Sequence, residues 1–361
     1  MAMTIVEAAP SPSGGADPVA LAITGGVDTH ADVHVAAALN ELGALLGTKS
    51  FATTPTGYAA LADWLTAFGP IAQVGVEGTG SYGAGLTRSL HARGIDVVEV
   101  DCPNRHDRHR AGKSDTLDAI SAARATLAGD ARGQPKGGTG PVEAMRVLLV
   151  AKRSARAERV RALNQMRHLV YVAPDAIRAR FQGLNVHHLT DTAAGLRPRP
   201  GNQVDYVTLF TLRELGRRAR SLEAEIDRLD HLLEPIVTHH AADLLSLYGC
   251  GPFVAATLSV AAGDRPERIR TEAAWAHLCG TAPIPANSGK TTARYRLNRG
   301  GNRQANAALH RMVFTRMASH GPTQIYVARR RAEGRTTPEI MRSLKRYVAR
   351  ETFKHLPRTT P

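Results

Sequence analysis

The stretch Gly25-Gly26-Val27-Asp28-Thr29-His30 decides the fold. It closes the apolar run from Leu21 to Val27 on a carboxylate, and a second apolar run, Val33 to Leu39, follows after a short polar turn. Two such runs read as neighbouring strands. Working outward, Gly47 to Ala52 reads as a third strand of the same meander, and Thr56 to Phe68 as a helix behind Thr54 and Pro55. Ile71 to Glu77 is the next strand, Ser81 to Ala92 a helix ended by Gly94, and Ile95 to Val100 a strand. A further helix starts within Lys113-Ser114-Asp115-Thr116-Leu117-Asp118-Ala119.

Three strands, then helix, strand, helix, strand, helix is the element order of the ribonuclease H fold, although many α/β domains share it. Within that order the acids stand out. Asp28 ends the first strand, and Glu77 ends a later one in Gly75-Val76-Glu77-Gly78-Thr79-Gly80. Carboxylates at strand ends put charge where ligands bind, and the flanking glycines are expected to let a phosphate backbone approach. Asp115 and Asp118, three residues apart, share one helix face. Each acid also has an ordinary structural use: a turn cap for Asp28, an ion pair for Glu77, a helix N-terminus for the other two. Four acids converging from two strands and a helix repel one another unless cations lie between them. Oxygen ligation suits Mg²⁺ or Mn²⁺, and a pair of such ions stabilises both oxygens of phosphoryl transfer.

The Gly- and Pro-rich stretch Gln134 to Pro141 breaks the chain, and Val142 to Val172 is a long helix carrying Lys152, Arg153, Arg156, Arg159, Arg161 and Arg167. Ala173 to Asn202 reads as loop. Leu212, Leu215, Ala219, Leu222, Ile226, Leu229, Leu233 and Ile236 then alternate spacings of three and four, the seam of a coiled coil. That seam can be filled by Val142 to Val172 or by a second subunit. Gly249 and Gly251 lie between two short helices, as in a helix-hairpin-helix that offers backbone N–H groups to a phosphate, or as a helix cap followed by a turn.

The chain has 361 residues, with 46 Lys+Arg against 32 Asp+Glu and a net charge of +14. Ten of those positive charges lie between Ala273 and Ala332, where there is no acid: Lys290, Arg294, Arg296, Arg299, Arg303, Arg311, Arg316, Arg329, Arg330 and Arg331. A one-signed stretch repels itself and points to a polyanionic partner, nucleic acid above all. Gly300, Gly301, Asn302 and Arg303, just before a helix, are expected to present N–H groups and a guanidinium to phosphate. Ser288 sits in Pro285-Ala286-Asn287-Ser288-Gly289-Lys290; as a nucleophile it needs its phosphate neutralised, which Lys290, Arg294 and Arg296 can do. By its residues alone the same loop reads as an ordinary Asn-Ser-Gly turn. Tyr295 with Arg294, Arg296 and His310 is too compressed for a tyrosine recombinase site. Three scattered cysteines give neither a disulfide framework nor a zinc site. Without a basic, apolar leader or a run of about 18 apolar residues, the chain is expected to be cytoplasmic, with a disordered tail over 1–20.

Val27-Asp28-Thr29-His30, Val76-Glu77-Gly78-Thr79-Gly80 and Lys113 to Ala119 resemble the DEDD motifs of the insertion-sequence one-ten (eleven-eleven) family of transposases. Gly249 to Asp264 and Leu278 to Asn306 resemble that family's C-terminal transposase domain. The resemblance implies a RuvC-like metal domain over 21–133, a helical linker and coiled coil over 134–243, a mainly helical C-terminal domain over 244–356 and a tail over 357–361. The expected fold class is thus α/β plus all-α. It further implies Mg²⁺ or Mn²⁺ on Asp28, Glu77, Asp115 and Asp118, and Ser288 as the nucleophile of a serine-DNA intermediate. Lys290, Arg294, Arg296, Arg299, Arg303, Gly249 and Gly251 are the expected nucleic-acid contacts. Implied partners are donor and target DNA, an element-encoded guide RNA and further copies of the chain as a dimer or tetramer, with no membrane. The rival readings are a hydrolytic nuclease of the junction-resolvase class, which needs no serine, and a non-catalytic nucleic-acid-binding protein.

Overall fold

In the computed structural model, residues 22–100, 114–131, 133–135, 138–285, 295–298 and 300–357 are described. The chain divides into two compact units, Met1–Gly138 and Thr139–Pro361.

The first unit is built on a five-stranded mixed sheet of β1 (Ile23–Thr29), β2 (Val33–Leu39), β3 (Leu45–Ala52), β4 (Ile71–Glu77) and β5 (Val97–Val100), in the order β3-β2-β1-β4-β5. β1 to β3 form an antiparallel meander, while β4 joins β1, and β5 joins β4, in parallel. β1 is central and buried along its whole length; β3, at an edge, is mostly exposed. Parallel pairing requires crossovers, which α1 (Pro55–Thr66) and α2 (Ala84–Ala92) supply. Thr54 caps α1 by accepting from Gly57 N at 3.1 Å. The expected start of α2 at Ser81 gives way to turns, with hydrogen bonds from Ser81 N and Gly83 N to Gly78 O, and the helix begins at Ala84.

Both faces of the sheet are covered. Val27, Val74 and Val76 pack with Leu61, Leu65, Leu86 and Leu90 of α1 and α2 on one face. On the other lies α3 (Asp115–Leu127), with Ala119 and Ile120 against Val35 and Ala37. It lies close because Gly26 and Gly75, register partners across β1 and β4, have no side chains. A Cβ at Gly26 would stand 2.1 Å from Ala123 N, and one at Gly75 2.0 Å from Thr126 Oγ1. The glycine beside Asp28 thus admits a protein helix, and its expected use in the approach of a phosphate backbone is corrected accordingly.

The second unit is helical. α4 (Gly140–Val172) and α7 (Gln203–His240) pack along each other, and Lys152–Asp230 and Arg159–Glu223 ion pairs set them antiparallel. Leu212, Leu215, Ala219, Leu222 and Leu233 of the heptad seam are buried, and Ile226, Leu229 and Ile236 half-buried, so a partner within the chain fills it. The region read as loop holds α5 (Asp175–Ala179) and α6 (Val186–Ala194). Their apolar residues Ile177, Leu189 and Ala193 close the distal end of the α4–α7 pair, a tertiary role that short helices do not announce by periodicity. At the other end, α8 (Ala242–Leu245), α9 (Pro252–Ala262), α10 (Glu272–Leu278), α11 (Arg303–Ser319), α12 (Gly321–Ala332) and α13 (Thr337–Lys354) enclose a core around Trp275. Trp275 is wholly buried and donates from Nε1 to Thr352 Oγ1 at 3.1 Å. β6 (Pro283–Pro285) and β7 (Tyr295–Leu297) form a small antiparallel ribbon. Cys250 and Cys279 are buried free thiols, and burial pushes Cys250 up to about 12, which leaves it protonated; Cys102 lies outside the described residues. Among the described residues no helix is long and apolar enough to cross a membrane.

The close docking of α3 is testable by urea denaturation. Gly26→Ala is expected to lower the unfolding free energy by at least ~2 kcal/mol, because backbone must move to admit the methyl group. Gly80→Ala, where nothing lies within 4 Å of the added carbon, is expected to change it by less than about 0.5 kcal/mol. Equal effects would contradict the packing described.

Candidate active site

Strand alternation carries the face of Gly26 to Asp28 and the face of Gly75 to Glu77. Since Val27 pairs with Val76, the two acids take the next step along adjacent parallel strands, on the face that α3 covers. The first turn of α3 holds Asp115 and Asp118. Asp28 and Asp118 are buried, Glu77 is half-buried, and the Asp115 side chain is 51% exposed. Thr29 ties the strand ends by donating from Oγ1 to Glu77 O at 2.9 Å.

Between the acids stands a residue to which the sequence reading gave no role. His30 Nε2 lies 3.0 Å from Asp28 Oδ2 and 3.4 Å from Asp115 Oδ1. One ligand atom from each of Asp28, His30 and Asp115 falls within 4.8 Å of the others. Glu77 and Asp118 are not members of this trio, although Asp118 acts on Asp28 through its charge. The signal for His30 was its position two residues after Asp28, which keeps it on the same side as the strand ends. An open cavity beside the trio is lined by His30, Asp32, Val33, Tyr82 and Asp115.

Burial pushes the Asp28 carboxyl above its ordinary value; His30 opposes this, and Asp118 and Asp115 add to it. A buried carboxylate beside two more acids is under strain that protonation or a cation removes. The donor set fits a divalent ion: carboxylate oxygens suit Mg²⁺, and the imidazole nitrogen is a ligand that Mn²⁺ accepts more readily.

In the second unit, Gly249 has φ +79°, and Gly251 caps α9 with nothing within 4 Å of a Cβ placed there. Arg296 is exposed on β7, and Arg303 is exposed at the start of α11. The N–H groups expected to await a phosphate at α11 are taken, because Asn302 Oδ1 accepts from Gln304 N and Ala305 N at 3.0 Å each. Gly301 is packed onto the Gly280 backbone, where a Cβ would come within 2.3 Å. Ser288, Lys290, Arg294 and Arg299 lie outside the described residues. Part of the acid-free stretch is neutralised from beyond its ends. Arg316 is buried and pairs with Glu351 at 2.6 Å while donating to Tyr248 O, and Arg329 and Arg330 pair with Glu333. Sequence distance hides Glu351, whereas Glu333 stands just past the end of the stretch.

The family model for the DEDD domain of IS110 transposases matches residues 25–172, and that of the transposase IS116/IS110/IS902 family matches residues 241–327. No curated protein matched the chain. A DEDD transposase domain points to dependence on a divalent metal, and Asp28, His30 and Asp115 are grouped to suit one.

The raised Asp28 carboxyl fixes the sign of a pH effect. Its contribution to stability is full below the unfolded carboxylate value and is lost as pH rises through the folded one. With a chelator present, Asp28→Asn is therefore expected to melt above the parent protein at neutral pH, with the advantage vanishing near about pH 4. A variant that melts lower at neutral pH would contradict this assignment.

Proposed function

The chain belongs to the IS110 family of transposases, enzymes that act on DNA, and from that premise we propose that it cuts and rejoins strands of a mobile element through a serine-DNA intermediate. Asp28, Glu77, Asp115 and Asp118 are the metal-binding acids of this reading, and Ser288 is the nucleophile. The observation that carries it is the grouping of Asp28, His30 and Asp115 on one face of the sheet, with Asp118 close enough to act on Asp28. The strand order β3-β2-β1-β4-β5, with acids at the ends of β1 and β4 and in the first turn of α3, supports a RuvC-like description of the first unit.

When bound, the divalent cation neutralises charge on the scissile phosphate and polarises it for attack. Asp28 and Asp115 hold the acidic side of the site, and His30 spaces them with its Nε2 directed at both. Ser288 Oγ forms a bond to phosphorus, the bond from phosphorus to a sugar oxygen breaks, and that oxygen leaves as a hydroxyl with a proton. Rejoining is the reverse exchange: an incoming sugar hydroxyl bonds to phosphorus, the bond from Ser288 Oγ to phosphorus breaks, and Oγ regains a proton as the incoming hydroxyl loses one. Lys290, Arg294, Arg296, Arg299 and Arg303 neutralise the phosphates around the serine.

The same reading assigns residues 21–133 to metal chemistry, 134–243 to a helical linker and coiled coil, and 244–356 to the serine. The change of compact unit after Gly138, inside the Gly- and Pro-rich stretch, supports the first of these divisions. Gly249 and Gly251 belong to the nucleic-acid surface as parts of a helix-hairpin-helix-like element, Gly251 open at the start of α9 and Gly249 turning the chain beside Met312 and Thr315. An element-encoded guide RNA and assembly as a dimer or tetramer complete the proposal.

Protein trapped on element-end DNA with Mg²⁺ and digested is expected to yield a peptide in which Ser288 carries a nucleotide. Ser288→Ala should lose both the adduct and strand joining, and Asp118→Asn should slow cleavage at least about 100-fold. Cleavage at the parent rate by Ser288→Ala, with no adduct, would replace the covalent reading with a hydrolytic one.

A further inference from the structure

Phe253, in the first turn of α9, is ringed by cations from two other helices. Lys152 Nζ lies 5.2 Å from its ring centroid, and the guanidinium carbons of Arg153, Arg156 and Arg311 lie at 5.9, 5.5 and 5.3 Å. Asp230 pairs with Lys152. Among the described residues no acid pairs with the three arginines; Arg153 only donates to Thr257 Oγ1 at 3.3 Å, and its Nε is buried without a partner. Three guanidinium groups around one benzene ring repel one another, and cation–π attraction at exposed sites is a weak reason to gather them. An anion seated among them removes that repulsion.

Solvent reaches the cluster at the exposed Arg156 and Arg311, and the cavity beside it is lined by Arg311 but by neither Arg153 nor Arg156. Lys152, Gly249, Gly251 and Phe253 also line this open cavity, with Asp230 and Glu234 on its wall. Gly251 leaves the start of α9 uncovered. Arg311 also lines the adjoining cavity, with Arg303, His310 and Phe314. Phe314 is 65% exposed, one helical turn beyond Arg311. A solvent-facing aromatic ring beside unpaired arginines has the chemistry of a platform for an unpaired base. Duplex nucleic acid, with its bases stacked inside, would leave that ring unused.

We propose that the junction of α4, α9 and α11 binds an unpaired nucleic-acid strand, with a phosphate among Arg153, Arg156 and Arg311 at Phe253 and a base stacked on Phe314. The proposal deepens the nucleic-acid reading above and is independent of the metal and serine chemistry. DNA and RNA single strands offer the same phosphate and base, and separate arms of the test distinguish them.

The test is fluorescence anisotropy of the full chain in EDTA with labelled single-stranded DNA, single-stranded RNA and duplex DNA across a salt series. At least one single strand is expected to bind more tightly than duplex. Arg156→Ala with Arg311→Ala, both at exposed positions, should weaken it about 10-fold or more and reduce the salt slope by roughly 0.7, the share of the one phosphate no longer neutralised. Phe314→Ala should weaken the same strand about 10-fold and leave the salt slope unchanged. Arg217→Ala, which removes an exposed arginine paired to Glu214, serves as the surface control and should change neither. Unchanged binding in the double variant and in Phe314→Ala, or a preference for duplex, would overturn the proposal. Because EDTA removes the metal, such a failure leaves the Ser288 adduct experiment to be judged by itself.

Discussion

The nearness of the α3 backbone to the central strands is the constraint on which the first unit depends. Gly26 and Gly75 face one another across β1 and β4, and the helix rests where their side chains would be. That contact fixes the height of α3 above the sheet. It also sets the first turn of the helix, with Asp115 and Asp118, beside the ends of the same two strands, which carry Asp28 and Glu77. A bulkier pair of residues would lift the helix and part the acids. Packing and chemistry therefore rest on one feature, two positions without a Cβ.

What that contact assembles is electrostatically costly. Asp28 is buried, and that burial is the main cost; the charge and hydrogen bond of His30 outweigh the repulsion from Asp118 and Asp115. Folding tolerates this because apolar burial on both faces of the sheet is large and local charge repulsion is small beside it. The second unit shows the opposite sign in Arg153, Arg156 and Arg311 around Phe253. In both places the chain leaves a charged group at a cost, Asp28 through burial and the arginines through want of an acid partner, and a ligand of the other sign relieves it.

Much of the fold was legible in the sequence, and the parts that were not have physical reasons. β1, β2, β4 and the helix after Lys113 follow from apolar runs and strand-end acids, and the α7 seam from its three-four spacing. α5 and α6 escaped notice because short helices are held by tertiary contacts such as Ile177 and Leu189 and carry little periodic signal. The strand glycines Gly26 and Gly75 serve a helix and not a ligand, and a missing side chain does not say which of the two comes close. The acids Asp28, Asp115 and Asp118 were visible as a set; His30 was not, because its role lies in a distance that only the fold creates. Likewise, the charge of Arg316 looks free in the sequence, whereas in the fold Glu351, far along the chain, stands beside it.

In the proposed reading, close docking of α3 makes a site for a divalent cation at Asp28, His30 and Asp115, with Asp118 beside it. Titration of the metal-free protein with Mn²⁺, following loss of the free-ion signal by electron paramagnetic resonance, tests it most directly. Saturable binding is expected in the parent chain and is expected to be abolished in Asp28→Asn and Asp118→Asn while both variants remain folded. Binding of equal stoichiometry and strength in all three proteins would contradict it.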